Sequence, residues 1–306
     1  MQKSFNTPVL LIAFNRPDLA REVLAQIRGV RPIKLYLAVD GARNNVEKSK
    51  VDEVKKIINQ IDWDCKVKTL FADKNYGCKL GPVRAMDWFF RNEEMGIILE
   101  DDILVSQSFF YFCQELLSLY KNNFKIGSIS GDNYFGISGG KYSYMFSKYS
   151  QTWGWATWRR VWQKYDIKIK DWPKRKKDGW LKNILPTREA VIYWKLIFDA
   201  VYKCEINSAW DYQWTYMNWI NNFLTIIPTK NLATNIGIGR AEATHTKMKG
   251  KLFDYPKYDI DIPLRHPELI EVNEKLDEEI QNTNYVLWKE VLMNLYRKFR
   301  ILTKQG

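Results

Sequence analysis

Three carboxylates stand side by side at Glu100-Asp101-Asp102, directly after the apolar run Ile97-Ile98-Leu99. Adjacent carboxylates at the end of a buried strand repel one another, and a bound divalent cation relieves that repulsion. Mg²⁺ or Mn²⁺ suits hard oxygen ligands and keeps waters and substrate phosphates in its shell. A solvated acidic loop, or a helix N-terminus that favours negative charge, accounts for the same residues without a metal. A second signal is Asp211, set among Trp210, Tyr212, Trp214, Tyr216 and Trp219. Partial desolvation there would raise its pKa and suit it to general-base work, whereas a helix N-cap is the commoner task for such a residue. The third is Trp153-Gly154-Trp155-Ala156-Thr157-Trp158. Gly154 allows a close backbone approach, and the indoles either wall a sugar pocket or pack a core.

The elements that must position these groups begin with Val9–Phe14, a continuous apolar run of the kind found in buried parallel strands. Pro17 and Asp18 open a helix with Leu19, Val23 and Ile27 at helical spacing, and Gly29 stops it. Leu35–Val39 predicts a second strand ending at Asp40-Gly41, and Val51, Val54, Ile58 and Ile61 mark a second helix. Val67–Phe71 follows as a strand, Gly81–Arg91 as a helix and Gly96–Leu99 as a strand. This alternation predicts an α/β fold with a mainly parallel sheet and right-handed crossovers. Ligands of such sheets bind beyond the carboxyl ends of the strands, where Asn15, Arg16, Asp40 and Glu100–Asp102 fall. Past Tyr120 the pattern turns irregular and aromatic, with helices expected over Arg188–Tyr202 and Tyr212–Ile220 and a strand over Leu224–Pro228.

The chain of 306 residues suffices for one large α/β domain with an appendage. Its net charge of +12 favours anionic partners, and no nucleic-acid-binding motif accompanies it, so nucleic acid is not expected as a partner. Aromatics reach 15%, with 13 Trp, an excess that sugar-binding faces or a Trp-rich core would use. Cys65, Cys78, Cys113 and Cys204 form no CxxC pair, so reduced, mostly buried thiols and a cytoplasmic setting are expected. Met1–Pro8 lacks the apolar stretch of a secretory signal, and no run is long enough for a membrane span.

Two further segments bear on a site. Asn235–Thr246, with Gly237, Gly239, Arg240, Thr244 and His245, suits a lid over a diphosphate or an ordinary surface loop. Near the C-terminus Trp288, Leu292, Leu295, Tyr296, Phe299 and Leu302 share a helical stripe, with Lys289, Arg297, Lys298, Arg300 and Lys304 around it. That basic amphipathic helix either lies on anionic lipid, as a peripheral membrane contact, or packs on the catalytic domain. The division expected is 1–262 for the catalytic domain, with halves meeting near 125, and 263–306 for a helical extension.

From Asn75 to Phe112 the chain runs Asn-Tyr-Gly-Cys-Lys-Leu-Gly-Pro-Val, an aromatic helix, and then Glu-Asp-Asp-Ile-Leu-Val-Ser-Gln-Ser-Phe-Phe-Tyr-Phe. This resembles inverting glycosyltransferases of the N-acetylglucosaminyltransferase I type, whose metal motif is Glu-Asp-Asp followed by a short apolar stretch and a Phe-Phe helix. In matching order, Leu11–Arg16 resembles that family's first strand and nucleotide-contacting Arg, and Val39-Asp40-Gly41 its uracil-reading Asp. Gly154-Trp155 followed by Trp162 resembles its Gly-Trp segment, and Trp210-Asp211 the segment bearing its catalytic base. The resemblance covers roughly Val9 to His245. It departs at Tyr212, where the family has a second Asp, and in the membrane anchor and stem of the animal members, which this sequence does not show.

The resemblance implies a GT-A fold and a metal-dependent inverting transfer from a UDP-sugar, UDP-N-acetylglucosamine among the donors. The acceptor would be a glycan or lipid-linked hydroxyl, in a bacterial-type cytoplasmic enzyme of surface polysaccharide synthesis. It implies that Asp102 holds the metal and that Glu100 and Asp101 bond the donor sugar or ribose. Asp40 would accept from the uracil N–H, and Arg16 would contact the nucleotide. Asn75, Trp155, Trp210 and His245 would complete the donor pocket, and Asp211 would be the base. A nucleotidyltransferase shares the sheet and metal but carries a Gly-rich loop, and Leu11–Pro17 has no glycine. A carbohydrate-binding module would use the Trp residues but leave Glu100–Asp102 idle.

Overall fold

A computed structural model describes residues 5–133, 140–240 and 255–302, with side chains to residue 297. The first half alternates strand and helix as expected: β1 (Val9–Ala13), α1 (Pro17–Val30), β2 (Lys34–Val39), α2 (Asn45–Lys55), β3 (Lys66–Phe71), α3 (Gly77–Asn92) and β4 (Met95–Glu100). β1, β2 and β4 are apolar and almost wholly buried because helices cover both faces of the sheet. α1 starts with Pro17 in its first turn and turns Leu19, Val23 and Ile27 inward. α2 is capped by the Asn44 side chain, which accepts the Glu47 N–H, and a 3-10 turn at Lys56–Gln60 replaces its expected last turn.

The second half supplies β5 (Ile103–Val105), α4 (Gln107–Leu119), β6 (Ile126–Ser130), β7 (Tyr144–Ser147), β8 (Trp155–Trp158), α5 (Arg159–Trp162), α6 (Trp172–Lys177), α7 (Arg188–Tyr202), α8 (Asp211–Ile220), β9 (Leu224–Pro228) and β10 (Ala233–Asn235). Two helices, α9 (Glu274–Asn284) and α10 (Leu287–Leu302), end the described chain. The main sheet has the order β3-β2-β1-β4-β8-β6-β9-β7. Its β3-β2-β1-β4 half is parallel, and β8 inserts antiparallel between β4 and β6. The architecture is therefore α/β with a mixed, largely parallel sheet and a helical C-terminal end.

Trp153–Trp158, read from sequence as either pocket wall or core, is mostly strand β8 in the middle of this sheet. Gly154, just before it, has φ +63°, and a Cβ there would lie 2.8 Å from Val105 Cγ1. Trp155 is buried against Trp210 and Trp214, with ring centroids 5.6 and 5.0 Å away. α4 buries Phe109, Phe110 and Phe112 completely. A small second sheet pairs β10 antiparallel with β5, Asn235 opposite Ile103. The thiols depart from expectation: Cys113 is buried and Cys65 half-buried, but Cys78 and Cys204 are exposed, because they lie at the two ends of helices that open to solvent. Among the described residues no helix is long and apolar enough to cross a membrane.

Candidate active site

Parallel pairing in register places Ile12 opposite Glu100 and Ala13 opposite Val39. The residues after these positions, Asn15, Arg16, Asp40, Asp101 and Asp102, therefore meet at one edge of the sheet although they are distant in sequence. They line a cleft of about 700 Å³ together with the starts of α3 and α8 and with Met293 and Arg297 of α10.

Arg16 sits inside the acidic cluster. Its guanidinium bonds Asp101 through Nη2 and Asp102 through Nη1, the latter at 2.9 Å. Burial opposes the guanidinium charge, and the two carboxylates more than offset that, so Arg16 is held above its usual range. Asp101 is nearly fully buried and also accepts the Phe14 N–H at 3.0 Å, which fastens the acidic turn to the end of β1. Burial first, and then repulsion from Asp102 and Asp101, pushes the Glu100 carboxyl up.

Among the described residues no three His, Cys, Asp or Glu side chains are arranged to hold a metal by themselves. Mg²⁺ and Mn²⁺ are commonly held by one or two carboxylates completed by substrate phosphates and water. Asp102 fits that mode. Three carboxylates face one guanidinium here, and Asp102 lies on the cleft lining.

Asp40 has a task that the sequence did not reveal. Its Oδ1 accepts from Gly41 N and Tyr76 N, both at 2.9 Å, and its Oδ2 accepts from Gly77 N at 2.9 Å and Asn75 Nδ2 at 3.1 Å. Asn75 Nδ2 also donates to Gly41 O at 2.8 Å. A carboxylate offers about four lone-pair sites, and these bonds use them. Asp40 thus fastens the first turn of α3 to the end of β2 and lies on the cleft lining. Above it Arg84 lies over the Tyr76 ring at 3.7 Å from the centroid, and Arg43 borders the same end of the cleft.

Asp211 is the first residue of α8, and its Oδ1 accepts the Tyr212 N–H at 3.1 Å. The N-cap position belongs to Trp210 and no side chain caps the helix, so the N-cap reading of Asp211 is corrected: Asp211 stands in the first turn of α8, on the cleft. Asp211 is exposed at the lip of the cleft, where its aromatic neighbours in sequence had suggested partial burial. Its charge nevertheless reaches Glu100 across the cleft, where it is among the groups that raise that carboxyl. Behind it Tyr165 Oη donates to Trp210 O at 3.0 Å and stacks on Trp162 at 4.6 Å. Trp210 lines the cleft with Trp153, whereas Trp155 stays behind them in the core.

The Asn235–Thr246 loop is described as far as Arg240. Its start is delivered by the β5–β10 pairing, and Ile236 N donates to Asp102 O at 2.8 Å. At Gly237 the backbone lies against the acidic cluster, and a Cβ would fall 2.5 Å from Asp102 Oδ2 and 2.9 Å from Arg16 Nη1. Arg240 pairs with Asp18 of α1. His245 lies outside the described residues.

Two further residues, Asp132 behind the cleft-lining Trp153 and Arg297 on the cleft itself, were not singled out for the site by the sequence. Asp132 is buried, accepts from Ser130 Oγ and bonds the Trp153 backbone, and burial pushes its carboxyl up to about 7. Nothing local marks it, because its partners come from β6 and the turn before β8. Arg297, read as one of the basic residues around the amphipathic helix, pairs with Glu290 and turns toward the cleft.

No protein-family model and no curated protein sequence matches the chain. Solved structures similar to it include 4-diphosphocytidyl-2C-methyl-D-erythritol synthase from Anaerococcus prevotii, at TM-score 0.34 and 10% identity over 56% of this chain and 82% of that one. An active-site mutant of LgtC is similar at TM-score 0.34 and 9% identity, over 56% of this chain and 65% of that one. The inositol-1-phosphate CTP transferase of T. maritima is similar at TM-score 0.32 and 13% identity, over 53% and 74%. These overlaps are partial and the identities low.

Proposed function

We propose that this chain is a GT-A type glycosyltransferase that moves a sugar from a nucleoside-diphosphate donor, a UDP-sugar by the sequence resemblance, to an acceptor hydroxyl with inversion. The observation that carries the reading is that Asp211 and the Glu100–Asp102 turn line one cleft at the carboxyl edge of the parallel half of the sheet. The donor would lie along that edge, its nucleoside end toward Asn75, Tyr76 and Arg84 and its diphosphate toward Arg16 and Asp102. Asp102 would hold a divalent cation, Mn²⁺ or Mg²⁺, which when bound neutralises charge on the departing diphosphate. Asp40 shapes the nucleoside end by fixing the α3 turn. Gly237 brings the loop backbone onto the diphosphate position without a side chain in the way.

Asp211 would accept the proton of the acceptor hydroxyl as that oxygen forms a bond to the anomeric carbon. The bond from the anomeric carbon to the diphosphate oxygen breaks with its electron pair leaving on the nucleoside diphosphate. One such displacement inverts the anomeric configuration. Its exposed position suits Asp211 to this task, since the acceptor enters from solvent while the donor is held deeper.

The test is a screen of UDP-, GDP- and dTDP-sugars for sugar transfer or release, with the product's anomeric configuration read by NMR. Turnover of a UDP-sugar with inversion is expected. Turnover with retention, or incorporation of a nucleotidyl group in place of a sugar, would overturn the reading.

A further inference from the structure

α10 is inverted relative to an ordinary amphipathic surface helix. Such a helix turns its apolar stripe inward and its charges to water. Here Glu290 and Asn294 are buried, and Arg297 pairs with Glu290 on the same inward side. Trp288, Leu292, Leu295 and Tyr296 point outward, 63%, 57%, 59% and 54% exposed. The inward placement is enforced by packing of α10 on α7, and burial raises the Glu290 carboxyl there.

The exposed face does not stand alone. It runs into an apolar groove of about 700 Å³ between the start of α7, the end of α9 and the start of α10, with Tyr285, Val286 and Leu287 on its walls. Elsewhere exposed apolar side chains such as Val46 and Phe124 are isolated in sequence. A contiguous outward apolar face of this kind marks a partner surface. Charge selects the partner. Lys289 flanks the outward row, Glu189 stands at the α7 end of the groove, and the sequence continues with Lys298, Arg300 and Lys304, on a chain of net charge +12. Trp and Leu on one side with Lys and Arg beside them suit the boundary between anionic headgroups and acyl chains.

We propose that the outward face of α10 docks this protein on an anionic membrane surface, with Trp288, Leu292 and Leu295 entering the acyl boundary and Lys289 beside them meeting the headgroups. Arg297 on the inward face and the half-exposed Met293 at the helix flank line the cleft. Docking therefore brings one wall of the cleft to the lipid surface. This proposal stands independently of the reaction assigned to the cleft.

The probe is sedimentation of the full chain with vesicles of phosphatidylcholine alone and of phosphatidylcholine mixed with phosphatidylglycerol. Binding to the mixed vesicles is expected to exceed binding to the neutral ones by roughly tenfold, and to weaken as salt rises. The triple variant Trp288→Glu, Leu292→Glu, Leu295→Glu changes only exposed positions, and it is expected to lose binding by at least about tenfold while circular dichroism stays native. No sedimentation of the intact chain at low salt overturns the proposal, as does equal binding by the variant. Sedimentation velocity closes the remaining alternative. A stable dimer that the variant converts to monomer, without vesicle binding by either form, assigns the face to a second copy and overturns the membrane.

Discussion

Arg16 Nη1 lies 2.9 Å from Asp102 Oδ2, so the one carboxylate proposed to hold a metal is also the partner of the one guanidinium inside the acidic turn. The pair joins the start of α1 to the end of β4, and a second bond from the same guanidinium takes in the nearly buried Asp101. Charge at this edge is thus shared between carboxylates and arginine before any ligand arrives.

The first prediction follows from that sharing. Asp102→Ala should abolish the tightening of UDP binding by Mn²⁺ and leave the fold intact, as calorimetry with and without Mn²⁺ would measure. Arg16→Ala should destabilise the protein more than Asp102→Ala does. It leaves Asp101 buried without its cation, a loss on the order of 3–5 kcal/mol. Unchanged metal-dependent affinity in Asp102→Ala would remove Asp102 from the metal site.

Asp211→Asn keeps the shape and the hydrogen bond to Tyr212 N but removes the proton acceptor. The variant should bind the donor nearly as the native protein does while kcat falls by on the order of 10²–10⁴. Near-native turnover with the true acceptor would remove Asp211 from the role of base.

Asp40→Ala leaves the Tyr76 and Gly77 N–H groups without their acceptor. Chemical denaturation should show a loss of about 1–3 kcal/mol. Affinity for UDP should fall with it, because the α3 turn that borders the nucleoside end loosens. Selective loss of UDP affinity at unchanged stability would instead favour direct reading of the base by Asp40.

Gly237→Ala places a Cβ 2.5 Å from Asp102 Oδ2 and 2.8 Å from Asp102 Cβ. The loop or the carboxylate must move, so UDP affinity measured with Mn²⁺ should drop while the melting temperature changes little. Wild-type affinity in this variant would mean that the loop does not touch the diphosphate position.

Asp132 gives a pH dependence of defined sign. Its carboxyl is raised to about 7 by burial, so the folded protein holds this proton more tightly than the unfolded chain does. Its contribution to stability is complete below the ordinary carboxylate value, about 4, and is lost as pH rises through about 7, a change on the order of a few kcal/mol. Urea denaturation at pH 5 and pH 8 should show that decline, and Asp132→Asn should flatten it. An equal decline in the variant would assign the effect to other groups.

Local pattern was sufficient for the first half of the sheet. β1, β2 and β4 are continuous apolar runs closed by polar residues, and burial on both faces leaves that signature in any sequence that folds this way. α7 was legible to its ends, because Thr187 caps it and its apolar residues keep helical spacing. The place of the acidic turn on the cleft followed from its position after a buried strand, since ligand clefts of such sheets open at the carboxyl ends of the strands. Tertiary structure decided the rest. Trp155 became core because β8 was inserted between β4 and β6, a pairing set by residues far away in sequence. Asp40 became the anchor of α3 because backbone N–H groups from Tyr76 and Gly77 arrive at it in space. α10 shows the division most plainly. Its periodicity is a property of the chain and was visible from the start, but periodicity defines two faces without saying which one packs. Contact with α7 buried the Glu290–Arg297 side and left Trp288 and Leu292 outward.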